Sequence, residues 1–422
     1  MQYLTKAVPE TLKTFVQRRA MIGNVSCHLN IVNSSQYDEV HSVMKESCGK
    51  NQEQPFGDNE FGGVAEFKEY LRASIVVLFQ PDSNRIANIR NTNAIGFITP
   101  SKYQRTLHPV YTENTILVVD QKSFSSTDNY ADYLKALEGI SKEIGYHGCI
   151  IDTFLSNQLT VNAARKLDYN ITAYIPNSGR KGNRLSDAIV MFKAINRDKP
   201  LPNVDEFEDE IFPSPPEILQ QKKPQLKYIP TSFQFPKGPL VTLKHLEEHH
   251  VERCAEILRE SAQGQAGISK AELELVEIYL QESLTGRYGT YGIVAETDQG
   301  EIVAYDLVFP NAYSKDVNPV LADGLGVVNK KFMSREIGCA MFSLGLRIIR
   351  DLGYSALLTD VLLPHYPSQN IVRKLGLVPC GSMPNNSYLP GRGWTDGVFY
   401  YKDLTDMNIS DTFLGIPPLA KL

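Results

Sequence analysis

A six-residue pattern occurs twice in this chain of 422 residues, as Asn162-Ala-Ala-Arg-Lys-Leu and as Asn370-Ile-Val-Arg-Lys-Leu, an offset of 208 residues. The offset holds around it: Gly145-Tyr146 falls on Gly353-Tyr354, Asp152 on Asp360 and Pro176-Asn177 on Pro384-Asn385, with no gap in register. Solenoid units run to about 20 to 50 residues, so a period this long means a duplicated domain. The chain length suits two to three domains of ordinary size. Its fold must therefore be one that half the chain can complete, and positions that differ between the copies become informative.

Composition removes several classes of function. With 42% hydrophobic and 22% charged residues and a net charge of −5, the chain reads as soluble and carries no basic footprint for nucleic acid. Cys27, Cys48, Cys149, Cys254, Cys339 and Cys380 form no C-x-x-C pair, which suggests a reducing compartment, no metal and no disulfide framework. No apolar run of about 18 residues predicts a membrane span. The first 22 residues set Lys6, Lys13, Arg18 and Arg19 against Glu10, with Leu4, Val8, Leu12, Phe15 and Val16 at near-helical spacing. They read as an amphipathic helix packed on the first domain, with an organelle presequence as the alternative. The expected location is cytoplasmic, with Ala420-Lys421-Leu422, a conservative variant of the Ser-Lys-Leu address, pointing instead to peroxisomes.

Five segments follow: an extension over 1–23, a first domain over 24–196, a Pro-rich ordered linker over 197–239, a second domain over 240–403 and a tail over 404–422. The linker holds Pro200, Pro202, Pro213, Pro215, Pro216, Pro224, Pro230, Pro236 and Pro239 with no helical or alternating period. Phe207, Phe212, Tyr228, Phe233 and Phe235 argue that it is strapped down rather than free. In the second domain, helices are expected over 251–261 and 270–284 and a hairpin over 291–296 and 301–309, turned by Thr297-Asp-Gln-Gly. A strand over 324–329 then leads into a long helix whose Met341, Leu344, Ile348 and Leu352 make one buried stripe. A strand over 354–361, a short helix over 368–374 and strands over 377–381 and 397–402 complete a mixed α+β domain. The first domain repeats the order, with a helix over 37–47, strands over 74–80, 94–100 and 115–120, a helix over 130–144 and a strand over 149–154.

The chemically loaded piece is Arg335-Glu336-Ile337-Gly338-Cys339-Ala340, between a strand and a long helix. Small residues there let backbone N–H groups approach a diphosphate, and the helix N-terminus adds its dipole. Lys330 and Lys331 could meet a further phosphate or form a solvated face. Arg335-x-x-Gly338-x-Ala340 resembles the Q/R-x-x-G-x-G/A loop of the GNAT superfamily of N-acyltransferases, and Lys374-Leu-Gly376-Leu377 resembles that family's later K-x-G-F helix end. The resemblance covers most of 240–403 and, through the duplication, 24–194. It implies two α+β sandwich domains in contact with each other, each a mostly antiparallel mixed sheet flanked by helices. It also implies acetyl-CoA or another acyl-CoA as co-substrate, and direct transfer of the acyl group to a small-molecule or peptide amine. Pantetheine would lie in an opening between two strands, beside the backbone of Val327 and Val328, with Ser368 near it.

The resemblance is incomplete. Val372 stands where many family members carry a tyrosine acid, and His365 where many carry asparagine. Tyr366 could supply the acid or pack against the loop. An attacking amine must lose a proton, and Asp306, Asp323 and Asp360 are the candidate bases, Asp306 and Asp323 favoured; Asp323, next to Gly324, also suits a turn. His249 and His250 read as surface residues. In the first copy Arg335, Gly338 and Ala340 become Thr127, Tyr130 and Asp132, which would block and repel a diphosphate, although Asn157 keeps the family's asparagine position. The expected enzyme is an N-acyltransferase with a catalytic second domain and a supporting first domain; the alternative is an acyl-CoA-binding sensor or scaffold.

Overall fold

Both halves of the chain bury apolar runs between a sheet and helices. The computed structural model describes residues 18–48, 56, 61, 64–82, 89–106, 109–120, 126–181, 184–204, 231–235, 238–262, 267–286, 289–315, 320–333 and 336–405. They divide into unit 1, Met1–Pro202 with Tyr313–Asn318, and unit 2, Asn203–Ala312 with Pro319–Leu422. No described helix is long and apolar enough to cross a membrane.

Unit 1 runs β1 (Arg18–Ile22), β2 (Val25–Ile31), α1 (Tyr37–Cys48), α2 (Val64–Arg72), β3 (Ile75–Pro81), β4 (Ala94–Pro100), β5 (Tyr111–Val118), α3 (Thr127–Ile144), β6 (Gly148–Phe154), α4 (Gln158–Lys166), β7 (Asn170–Lys181) and β8 (Arg184–Ala194). Its strand order is β1-β2-β3-β4-β5-β6-β8-β7. The helix expected at the N-terminus is corrected over Arg18–Ile22, which is a strand; 1–17 lie outside the described residues. Gly23, at φ 54°, turns this strand back onto β2, and Ile22 enters the core. Ser126 caps α3 by accepting the Asn129 N–H, and Gly145 ends it at φ 108°, a left-handed conformation that only glycine adopts without strain.

Unit 2 runs β9 (Thr231–Gln234), β10 (Leu240–His245), α5 (Glu248–Ala262), α6 (Lys270–Thr285), β11 (Tyr291–Glu296), β12 (Ile302–Pro310), β13 (Leu321–Val328), α7 (Ile337–Asp351), β14 (Ala356–Leu362), α8 (Tyr366–Lys374), β15 (Val378–Leu389) and β16 (Gly393–Asp403). Its order is β15-β16-β14-β13-β12-β11-β10-β9. β9 lies inside the stretch read as linker. Its Thr-Ser-Phe-Gln run pairs antiparallel with β10, and the next residue, Phe235, is buried with Val241 and Ile337. α6 opens on a reciprocal capping box between Ser269 and Glu272. The stripe of α7 packs Met341, Leu344 and Ile348 against Tyr291, Ile293, Val303 and Ala304.

Each sheet contains one parallel contact, and it is short. β5 meets β6 only through Tyr111–Gly148, Thr112–Cys149 and Glu113–Ile150, and β13 meets β14 only through Leu321–Ala356 and Ala322–Leu357. Beyond these pairs the strands part.

The parting in unit 1 is occupied by charge. Asp152 pairs with Lys102 at 3.0 Å and with Lys315 at 3.2 Å, and Tyr103 stacks on Tyr313 with centroids 4.8 Å apart. Burial opposes ionisation of Asp152, but the two lysines outweigh it and hold the carboxyl below its usual range. Glu113, half-buried, is pushed up to about 7 by desolvation even though Lys102 opposes the shift. Asp152→Asn should therefore destabilise unit 1 by about 3–5 kcal/mol, because it removes the buried carboxylate that both lysines meet. Denaturant midpoints measure this. The difference from wild type should shrink as pH falls through the carboxylate range, where wild-type Asp152 itself loses its charge.

Candidate active site

The strand partings of the two units can be compared residue by residue. Ala94 pairs Val118 in unit 1 and Ala304 pairs Val328 in unit 2, so Gly96 corresponds to Asp306, Asn114 to Gly324 and Ile116 to Gly326. The helix that follows keeps the 208-residue offset, which matches Tyr130 to Gly338 and Leu137 to Gly345.

In unit 1 the space beside β5 is filled. Leu137 lies over Gly96, where an added Cβ would come within 2.7 Å of its side chain. Asn114 is held by Ser141 of α3 and by Cys149, and the Tyr130 hydroxyl reaches across to donate to the Ile116 carbonyl at 3.3 Å. Ser126 and Asp128 occupy the first turn of α3.

Unit 2 reverses each of these choices. Gly324 and Gly326 leave the floor of the parting bare, and Gly326 is exposed. Gly338 opens the start of α7, where an added Cβ would meet Ile371 at 3.2 Å and Val328 at 3.6 Å. Glu336 begins that helix at φ 62° without a side-chain cap, so the first-turn N–H groups keep no side-chain acceptor from their N-cap. The backbone of β13 alternates. The Asn329 N–H donates to Val303 and the Leu321 carbonyl accepts from Asn311, both on the β12 side. Gly324, Gly326 and Val328 therefore turn their N–H groups to the opening, whereas Val327 turns toward β12. Ser261 of α5 donates to the Val328 carbonyl at 3.1 Å. Asn311 fixes the apex by donating its side-chain amide to Leu358 at 2.6 Å, just where β13 leaves β14. No local pattern around Asn311 marks that wedge.

Asp306 sits under this floor. It is 3% exposed, an added Cβ on Gly345 would overlap its Oδ2, and its Oδ1 has no hydrogen-bond partner. Oδ1 is 3.8 Å from the Cβ positions of both Gly324 and Gly326. Burial pushes the carboxyl up to about 8; the backbone N–H of Leu307 opposes that shift and the charge of Asp323 adds to it. Asp323 lies on the other face. It pairs with Phe309 while Asp306 pairs with Gly326, and alternation puts Asp323 with Tyr305 and Leu307 on the α5–α6 side. The two carboxyls read as one pair of bases thus face opposite sides of the sheet. Asp323 Oδ1 accepts from the Gly324 N–H at 2.7 Å.

The other expected residues are scattered more widely. Ile337, Cys339 and Ala340 are buried in the first turn of α7, and burial raises the Cys339 thiol. Lys330 is exposed on the turn before the loop, while Lys331 pairs with Glu301 at 2.7 Å. Ser368 is half-buried in α8. Tyr366 opens that helix and is 70% exposed, whereas Val372 is buried. Arg335 lies outside the described residues, as do Ala420, Lys421 and Leu422. The surface reading of His250 is corrected: the ring is 3% exposed, its Nδ1 accepts the Glu247 N–H and its Nε2 meets Glu296 at 3.1 Å, with Lys244 on the same carboxylate. His249, His250 and Glu296 have ligand-type atoms within 4.8 Å of one another. With Nδ1 accepting, the ring is neutral and its Nε2 proton points at Glu296, so Glu296 is held by a hydrogen bond from His250 and an ion pair with Lys244.

No family model matches the chain, and no curated protein matches it. Solved structures similar to part of it include a GCN5-related N-acetyltransferase from Kribbella flavida, at 14% identity over 39% of this chain and 97% of that one, with a TM-score of 0.34. A GNAT superfamily phosphinothricin acetyltransferase from Sinorhizobium meliloti, in complex with acetyl-CoA, is similar at 22% identity over 42% and 96%, TM-score 0.34. A ribosomal-protein-alanine N-acetyltransferase from Brucella melitensis is similar at 20% identity over 38% and 98%, TM-score 0.34. At such identities and scores the likeness carries no residue roles to this chain.

The raised Asp306 carboxyl has a consequence for stability. Its proton is held more tightly in the folded than in the unfolded chain, so its contribution is fully present below about pH 4 and is lost as pH rises to about 8. Asp306→Asn removes that loss. The variant should gain melting temperature over wild type progressively between pH 4 and 8, with the gain levelling above pH 8 in a calorimetric series.

Proposed function

We propose that unit 2 is an acyl-CoA-dependent N-acyltransferase of the GNAT type, most simply an acetyltransferase, and that unit 1 supports it without binding acyl-CoA. One observation carries the reading. The same strand parting is bare and glycine-floored in unit 2, and leads to an uncapped helix start, but is plugged in unit 1 by Tyr130 and Ile116.

A diphosphate suits the start of α7, where the N–H groups of Ile337, Gly338 and Cys339 and the helix dipole converge, the Ala340 N–H being bonded to the Glu336 carbonyl. Lys330 and Arg335 would add positive charge, and Glu336 must turn its carboxylate outward. Pantetheine, an extended chain of amides, suits the outward N–H groups of Gly326 and Val328 in β13, with Ser368 on the facing helix. The Val328 N–H would polarise the thioester carbonyl and take up the negative charge that develops on its oxygen. Asp323, on the α5–α6 face, would draw the proton from the attacking amine through water. The amine then enters from that face and the thioester from the α7 face, so the two meet where the sheet is open.

A sensor that binds acyl-CoA without turnover is the second reading, favoured by the buried Val372 and the exposed Tyr366. Thermal shift and thiol release separate the two. Acetyl-CoA should raise the melting temperature of the wild type; at 100 times Kd the gain is about 2.7 kcal/mol. Gly338→Tyr, which installs the tyrosine of unit 1 opposite the Gly326 carbonyl, should abolish the shift while leaving the melting temperature without ligand near wild type. No shift with acetyl-CoA or CoA would overturn both readings. A shift without thiol release from any amine tested would favour the sensor.

A further inference from the structure

Acyl transfer from a thioester expels a thiolate, which needs a proton, and the residues placed so far supply none. Tyr366 points into solvent and Val372 is apolar. We propose that Asp306 is the proton donor to the departing sulfur, reaching it through the glycine floor formed by Gly324 and Gly326. This rests on the acyltransferase reading of unit 2.

Three features of the molecule carry it. First, the carboxyl is buried yet incompletely satisfied: Oδ1 lacks a partner among the described residues and lies 3.8 Å from the Cβ positions of Gly324 and Gly326, the side-chain-free residues of β13 beside the opening. A buried unsatisfied oxygen costs stability unless something uses it. Second, the carboxyl replaces packing that the fold can make without it. Unit 1 fills the corresponding place with Leu137 over Gly96, and unit 2 gives up that leucine for Gly345 to admit Asp306. The exchange trades an apolar contact for an acid, and two further glycines appear in the same unit between that acid and the groove. Third, the acid is in the right state. Pushed up to about 8 chiefly by burial, it carries a proton at neutral pH.

The step balances simply. The amine nitrogen bonds to the thioester carbon and the C–S bond breaks, its electron pair going to sulfur. Asp306 gives its proton to that sulfur as the free thiol forms, the amine proton leaves through water to Asp323, and solvent re-protonates Asp306.

The test follows thiol release from acetyl-CoA and from S-(4-nitrophenyl) thioacetate, with phenethylamine, spermidine, a serine-initiated peptide or water as acceptor. The aryl thiolate is stable without a proton. Asp306→Asn should lower kcat with acetyl-CoA by about 10²-fold or more, and should leave the aryl thioester within a few-fold of wild type. Wild-type kcat with acetyl-CoA should fall as pH rises through about 8, and the variant should lose that descending limb. The double variant Asp306→Gly with Gly345→Leu, which restores the packing of unit 1, should keep the melting temperature of the wild type and show the same leaving-group dependence. Equal losses on both thioesters, or an unchanged pH profile in Asp306→Asn, would overturn the proton-donor role while leaving the acyltransferase standing. A wild type that releases no thiol from acetyl-CoA with any acceptor would overturn both.

Discussion

Everything distinctive in unit 2 depends on β13 and β14 parting after two residue pairs. A parallel ladder that stops early leaves backbone N–H and C=O groups facing nothing, and such groups are costly unless water or a partner reaches them. The fold holds the parting open with Asn311, whose side chain takes the Leu358 carbonyl that β13 would otherwise have shared. Gly326 and Val328 then present donors along one edge, which ends at the start of α7, while the Gly324 N–H is taken by Asp323. A ligand with alternating amides and a terminal anion answers that row better than water can.

The two units show how much freedom the same architecture has at this place. Both part their strands, and both set carboxylates near the apex, Glu113 and Asp152 in one, Asp323 and Asp360 in the other. Unit 1 meets its carboxylates with lysines and fills its groove with side chains. Unit 2 keeps the groove bare and puts an acid beneath it. Packing in one unit and chemistry in the other are alternative uses of one cavity.

Much of this was legible in the sequence, unevenly. Strands bounded by strong turn residues read true: Ala94–Pro100 and Tyr291–Glu296 have the expected limits. β1 did not, because Arg-Arg-Ala-Met-Ile suits a helical stripe as well as a strand, and its partner β2 decides the matter through pairing that local pattern does not contain. β9 was hidden by the prolines around it, although Phe233 and Phe235 hinted at burial. At the site, the glycine of the loop and the tyrosine that replaces it could be read from the repeat. The opposite faces of Asp306 and Asp323 could not, since facing depends on which residue stands across the ladder. Nor could the contact of Asp306 with Gly345, residues on separate elements whose fit is purely three-dimensional.

That fit also constrains how the two units could have diverged. An aspartate set beneath Leu137 would overlap it, and a leucine at Gly345 would overlap Asp306, so the unit 1 arrangement must shed its leucine before gaining the acid and the unit 2 arrangement must shed its acid before gaining the leucine. The passable intermediate has glycine on both the strand and the helix, a small void that lowers stability but can fold. Moving from the unit 1 arrangement to the unit 2 arrangement therefore passes through a looser protein. The reverse change passes through the same void, so both directions share one intermediate.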